Sequence, residues 1–342
     1  MTSLAKALLV RLAPQLIALA AILFLNFIMF PQFFHLEMQN GRLYGSLIDV
    51  LNRGAPVALL SIGMTLVIAT KGIDLSVGAV IAICGAVAAS SAVAGDSVAY
   101  ILVLTIGVGL LCGLWNGILV AVLDIQPIIA TLVLMVAGRG IAQLITEGVI
   151  LTFNDDNLIF LGSGSFAALP MPVVIWFAVG LAVILLVRRT ALGMLVEAIG
   201  INRRASTLSG IRTPVLLIAV YALSGLCASI AGLIVTADIK GADANNAGLW
   251  LELDAILAVV VGGNSLLGGR FSIIGSLIGA MIIQSVNTGI LLSGFPPEFN
   301  LVIKAVIVIV ILVIQSPALQ SAIAFFGRRR GAEQLVSKEQ AK

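Results

Sequence analysis

Long apolar stretches separated by short polar breaks run the length of this chain. Charge-free stretches cover residues 12–36, 54–70, 75–95, 97–123, 157–187, 213–237, 271–297 and 305–327. Two more, 125–146 and 253–269, are interrupted once or bounded by charges. A bilayer core about 30 Å thick needs about 20 apolar residues per helix. The pattern predicts an all-α fold, a polytopic membrane helix bundle. Its ten or so helices fall at 14–34, 48–70, 75–94, 98–123, 126–146, 170–187, 214–236, 253–269, 271–292 and 299–317. Gly and Pro soften several boundaries, and breaks are expected within 48–70 and 253–269. The membrane domain is then 14–317, between a short N-terminal segment, 1–13, and a polar tail, 318–342.

Lys and Arg orient the bundle, because inner loops carry the excess of positive charge. With the N-terminus inside, Lys6, Arg11, Lys71, Arg270, the loop 188–213 and the tail fall on the inner side. Arg42, Arg53, Arg139, Lys240 and Lys304 fall outside or in the outer half, so the cations divide 14 to 5. Glu37, Asp49, Asp96, Glu147, Asp155, Asp156, Asp238, Asp243, Glu252, Asp254 and Glu298 are all assigned outside. An even number of spans with both termini cytoplasmic satisfies this distribution. The basic start of the first helix suits a signal peptide, but its apolar stretch is longer than a signal core and many spans follow. An uncleaved first helix is expected.

Composition narrows the functions. Of 342 residues 60% are hydrophobic and 10% charged, and the mean hydropathy is +1.17. So little charge cannot clothe a soluble body of this size. Nucleic-acid binding, coiled coil and disorder are poor fits. The 35 Gly suit helices packed closely in lipid. Cys84, Cys112 and Cys227 lie in apolar runs and His35 is the lone His, so neither a disulfide framework nor a metal cluster is expected. A phosphate-binding loop needs Gly-Lys-[Ser/Thr], and no Lys follows a Gly in this chain. No mid-helix carboxylate relay suggests ion coupling. Arg139 is the strongest ionisable residue within a span. It is read either as a pathway or packing charge, or as a snorkelling side chain paired with a carboxylate such as Glu147.

Three segments stand out. In Lys71-Gly-Ile-Asp-Leu-Ser-Val-Gly78, Gly72 breaks a helix, and Asp74 and Ser76 are placed to cap the next. The inner loop from Arg188 to Arg212 holds Leu195, Val196 and Ile199 at helical spacing. Gly200 and Asn202 end that short helix, and a second carries Arg203, Arg204, Ala205 and Leu208. Such helices either dock into a partner's groove or lie on anionic lipid. In Leu253–Arg270, paired glycines flank Asn264-Ser265. The spacing Gly72-x-x-Leu75-x-x-Gly78 recurs as Gly263-x-x-Leu266-x-x-Gly269, which is either the remnant of an internal repeat or chance.

These segments carry a resemblance. Lys71–Gly78 is similar to the G-G-I-D-L-S-V-G signature of the ribose/xylose-type sugar permeases of bacterial ATP-binding-cassette importers. Gln126-Pro-Ile-Ile-Ala-Thr131-Leu132 resembles their P-x-F-I-x-T-L segment, Gly193–Ile211 their inner loop, and 252–279 their glycine-rich run. The match covers roughly 50–315 and is strongest to galactofuranose-importing members. Lys71 stands where the family usually has Gly, Asn264 replaces a common Thr, and Arg270-Phe271 replaces a Lys/Gly-rich step. The resemblance implies a permease in the bacterial inner membrane, paired with a second, different homologous permease. It implies a cytoplasmic ATPase that docks on the inner loops and itself binds ATP and Mg, and a periplasmic sugar-binding protein outside. No cofactor is expected in this chain and no ATPase activity of its own.

Carried over, the signature residues are Gly72, Asp74, Ser76, Gly78, Gly262, Gly263, Ser265, Gly268 and Gly269. The residues that couple to the ATPase are Gly193, Glu197, Asn202, Arg203, Arg204, Ser209 and Gly210. The polar residues within spans, Asn116, Thr131, Gln143, Gln284, Asn287 and Thr288, and the stacking surface of Trp115, are read either as helix-packing contacts or as candidates for a sugar pathway. Competing readings are a permease for another solute such as a branched-chain amino acid, a stand-alone secondary carrier, and a membrane enzyme.

Overall fold

The computed structural model describes residues 2–315, apart from residues 40, 295, 297 and 298. The tail 318–342, with its basic cluster Arg328, Arg329 and Arg330, lies outside the described residues. Among those described, the helices are α1 (Thr2–Met29), α2 (Ser46–Arg53), α3 (Ala55–Ala69), α4 (Val77–Val93), α5 (Val98–Ala121), α6 (Pro127–Ile145), α7 (Asp156–Ser163), α8 (Met171–Arg189), α9 (Leu192–Ile201), α10 (Arg203–Leu208), α11 (Thr213–Ile239), α12 (Leu251–Val261), α13 (Ile273–Leu292) and α14 (Phe299–Gln315). Three antiparallel ribbons of two or three residues per strand pair 37–39 with 42–44, 151–152 with 241–242, and 165–166 with 169–170. Met1–Gly289 forms one compact unit, and Ile290–Lys342 a second that contains α14.

Six described helices are long and apolar enough to cross a membrane: α1, α5, α6, α8, α11 and α13. The pair α2–α3, bent by 43° at Gly54, makes a seventh. The break expected in 48–70 is this bend. Gly54 has no room for a side chain, since a Cβ would lie 2.6 Å from the Val50 carbonyl and 2.9 Å from Met281 Cε. The break expected in 253–269 is larger than a kink. α12 stops at Val261, and the chain to Ser272 is not helical. Gly263, Gly268 and Gly269 have φ of 83°, 76° and 90°, conformations open to Gly but costly for other residues. The first helix begins at Thr2 and contains Pro14, and its membrane-length apolar part is Leu12–Met29.

α11 is the hub. It packs against α3, α4, α5 and α7, and most of its side chains are buried. α5 meets it through Gly109, Gly113 and Gly117, one turn apart on one face. A Cβ on Gly113 would lie 2.9 Å from Ala222 Cα, and one on Gly117 2.8 Å from Ile218 Cα. Small residues at this spacing let two backbones touch in lipid, where dispersion replaces the hydrophobic effect as the attraction. α4 is sheathed by α5, α6 and α11. Its small, apolar, 17-residue sequence therefore faces protein rather than lipid.

Gly113→Val is expected to destabilise the chain by about 1–3 kcal/mol through overpacking. The readout is a lower thermal unfolding midpoint in mild detergent. Gly107→Ala, on the same helix where a Cβ meets nothing within 4 Å, should leave the midpoint unchanged.

Candidate functional site: a paired-helix loop and a buried signature network

The first signature segment links α3 to α4 and is almost wholly internal. After α3, Lys71 takes a left-handed conformation with φ 65°. The Gly72 amide donates back to the Val67 carbonyl at 3.0 Å. Asp74 is buried. Its Oδ1 accepts from the Ser76 amide at 3.1 Å and from Ser76 Oγ at 2.6 Å. Its Oδ2 accepts from Ser224 Oγ of α11 at 2.8 Å. Ser76 Oγ accepts in turn from Asn116 Nδ2 of α5 at 2.8 Å. Thr131 Oγ1 of α6 accepts from the Leu75 amide at 3.1 Å and lies 2.9 Å from the Pro127 carbonyl. The segment is thus tied to α5, α6 and α11. Asp74 and Ser76 do not cap α4 as expected, since Ser76 makes no side-chain cap bond there and Asp74 closes a turn on Ser76. A buried carboxylate must be hydrogen-bonded to be tolerated, and these donors meet that need.

The second signature segment has its own polar hub. Asn264 Nδ2 donates to the Val259 carbonyl at 3.0 Å and to Ser276 Oγ at 2.9 Å. Its Oδ1 accepts from the Ser272 amide at 2.6 Å. Thr65 Oγ1 of α3 reaches Ser276 Oγ at 2.6 Å. Ser265 Oγ accepts from the Leu267 amide at 3.1 Å. Gly262 has no room for a side chain against Gly275, where a Cβ would lie 2.5 Å from the backbone.

The two segments meet where α3 ends. The Gly269 amide donates to the Ala69 carbonyl at 2.9 Å. Gly200 of α9 presses on the same carbonyl so closely that a Cβ would collide with it. Lys71 Nζ donates to the Ile201 carbonyl at the end of α9 at 3.1 Å. Lys71, just before the first spacing, and Gly268 and Gly269, at the end of the second, therefore share one place, with the α9–α10 loop over them.

The loop forms the two short helices that its periodicity predicts. Gly193, Val196, Ile199 and Gly200 are its buried positions. Asn202 Oδ1 caps α10 by accepting from the Ala205 amide at 3.0 Å. Arg203 turns inward to Asp124 at 3.0 Å and the Ala121 carbonyl at 3.4 Å. Ser209 Oγ donates to the Ala205 carbonyl at 3.0 Å, and Gly210 ends the helix at φ 85°. Arg204 is exposed, and so are Met194, Ile201 at 66% and Leu208 at 83%. Glu197 lines a cavity of about 340 Å³ with Arg188, Met194 and Phe271.

The candidate pathway residues are not brought together. Asn116 and Thr131 are fixed in the first signature network. Gln284 and Asn287 pair with one another at 3.4 Å on α13, near Thr288. Trp115 is 53% exposed on α5. Gln143 Nε2 holds Asn245 Oδ1 at 2.7 Å in the 240–250 loop. Arg139 serves the same loop. Its Nη1 donates to the carbonyls of Ala244 at 3.0 Å and Ala247 at 2.6 Å, and the carboxylates that act on it are Glu252 and Asp243 rather than Glu147. In that loop, hydrogen bonds from Asn246 hold the Asp243 carboxyl below the usual carboxylate range. Glu252 and Asp254 follow the same loop in the chain. They are buried in the first turn of α12, where the helix dipole favours carboxylates. Ser224 and Ser276 escaped the sequence reading, since a hydroxyl within an apolar run carries no pattern of its own.

Membrane-length helices, helices broken at glycine-rich segments and a paired-helix loop describe a multi-pass membrane protein. The chain belongs to the permease family described as the branched-chain amino acid transport system / permease component, whose profile matches residues 46–312. It is therefore a transport component without an ATPase site of its own. It is 61% identical over 303 residues, 89% of each chain, to the galactofuranose transporter permease protein YtfT of Escherichia coli K12. It is 43% identical to the fructose import permease protein FruF of Bifidobacterium longum, over 85% of this chain and 83% of that one. It is 37% identical to the ribose import permease protein RbsC of E. coli K12, over 88% and 92%. No solved structure matches the chain.

Ser224→Ala strips Asp74 Oδ2 of its hydroxyl donor inside the bundle. The expected loss is about 1–3 kcal/mol of stability, seen as a lower unfolding midpoint of the purified chain. An unchanged midpoint would mean that Ser224 is not a needed partner of Asp74.

Proposed function

We propose that this chain is the membrane-spanning subunit of an ATP-binding-cassette importer that carries a monosaccharide, galactofuranose or a close relative, across the bacterial inner membrane into the cytoplasm. The observation that supports it most is the 61% identity, over 89% of each chain, to a galactofuranose permease. Sugar permeases among the other relatives point the same way. Ten spans with both termini inside suit the charge distribution. ATP and Mg are bound by a separate ATPase subunit that docks on the α9–α10 loop. The docking patch is the exposed set Met194, Ile201, Arg204 and Leu208, with Glu197 at its margin. A second, homologous permease completes the core, and a periplasmic sugar-binding protein meets the outer loops.

Mechanically, a push on α9 and α10 reaches the membrane helices through the Ala69 junction. Gly200 and Ile201 bear on the residues where α3 ends. Gly269 carries the contact to the segment after α12. The Asp74 and Asn264 networks spread it to α5, α6, α11 and α13. ATP-driven closure of the ATPases then tilts these helices, and the path opens alternately to either side.

A second reading, import of a branched-chain amino acid, follows from the description of the matching family profile. Co-purification from mild detergent followed by ATPase assay separates the two. Co-purified ATPase and second permease, with hydrolysis stimulated by binding protein and galactofuranose, are expected. Stimulation by leucine alone would favour the second reading. Arg204→Ala and Glu197→Ala are expected to lower sugar-stimulated hydrolysis several-fold with membrane insertion unchanged. Uptake by the lone chain driven by an ion gradient would overturn both readings.

A further inference from the structure

A cavity of about 490 Å³ lies between the α9–α10 loop, the end of α3 and the start of α6. Lys71, Arg203 and Arg204 line it, and no carboxylate does. Asp124 answers Arg203 from outside the lining. Asp74 lies deeper, behind Gly72, with its oxygens committed to Ser76 and Ser224. A net positive charge therefore faces the space. Two independent features add to it. Tyr221 of α11 is fully buried at the cavity wall beside Gly72, and its hydroxyl has no hydrogen-bond partner. Pro127, the first residue of α6, forms another part of the wall, and α6 has no side-chain cap. The positive end of its dipole thus lies at the cavity.

The geometry points to a binding site for a phosphate-bearing ligand in this cavity, held by Lys71, Arg203 and Arg204 with Tyr221 as a neutral donor. Guanidinium forks suit the paired oxygens of a phosphate. The volume accepts more than a bare ion, so the phosphate is part of an ester. Lys71 belongs to the α3–α4 link, and Arg203 and Arg204 to α10. One phosphate bridging them would brace the loop against the membrane helices and change how freely it moves. The site is a property of this chain alone and does not rest on the transport reading.

Two sources share the chemistry: a soluble phosphate ester, or the headgroup of an anionic lipid. The test uses the full chain in nanodiscs and follows its thermal unfolding midpoint. In phosphatidylcholine nanodiscs, inorganic phosphate is titrated at constant ionic strength against chloride and acetate. In the second arm, phosphatidylglycerol replaces part of the phosphatidylcholine. A saturable rise with phosphate in neutral nanodiscs supports the soluble source, and a rise with phosphatidylglycerol alone supports the headgroup. In either case Arg204→Gln and Lys71→Gln should weaken the response about tenfold, and Arg204→Lys should retain part of it. Both positions are exposed, and the midpoint without added anion checks that each variant folds. The proposal is overturned by no rise in either arm, by equal responses to acetate and phosphate, or by full responses in both Gln variants.

Discussion

Two helices of this bundle, α3 and α12, hand over to non-helical chain within the compact unit. Each ending releases backbone groups that lipid cannot satisfy, so partners must come from within the protein. The Ala69 carbonyl is the plainest case. It accepts from the Gly269 amide at 2.9 Å, and the absence of a side chain at Gly200 lets α9 close over it. Around this junction Asp74 and Asn264 each gather donors and acceptors that stand in for missing helical bonds. A carboxylate inside an apolar bundle is costly unless every strong acceptor is met. Ser76 and Ser224 meet these with hydroxyls and an amide. The glycines follow from the same need, because backbones can exchange hydrogen bonds only where side chains do not hold them apart.

This junction gives the inner loop its mechanical meaning. α9 and α10 are short and, alone, only marginally stable. They are fixed by Gly200 on α3, by Lys71 reaching the Ile201 carbonyl, and by Arg203 reaching Asp124. Force applied at Leu208 or Arg204 therefore passes to helix ends rather than being lost in a floppy loop. The relatives at 61%, 43% and 37% identity are sugar permeases by name.

Much of this was legible in the sequence. Apolar runs located the helices, and periodicity found both helices of the inner loop. The glycine pairs at 262–263 and 268–269 marked the break after α12. Other features were not legible, for identifiable reasons. Arg139 pairs with backbone carbonyls 105 and 108 residues away, and a carbonyl leaves no mark in a sequence. Glu252 and Asp254 look like loop carboxylates by charge alone, yet they sit buried at a helix start. Asn116 and Thr131, polar within spans and open to either a packing or a sugar reading, have their partners in the signature turn. Lys71 occupies a left-handed position where its family usually carries Gly. Its Nζ bond to the Ile201 carbonyl shows what the side chain adds there.

Hydrogen–deuterium exchange at Gly269, measured on the full chain in nanodiscs, probes the junction most directly. Its amide should exchange as slowly as the core amides of α11. Gly200→Ala, by crowding the Ala69 carbonyl, should accelerate that exchange while leaving α11 protected. A Gly269 amide that exchanges as fast as the exposed amides of α10 in the unaltered chain would contradict the junction as the structural link between the inner loop and the membrane helices.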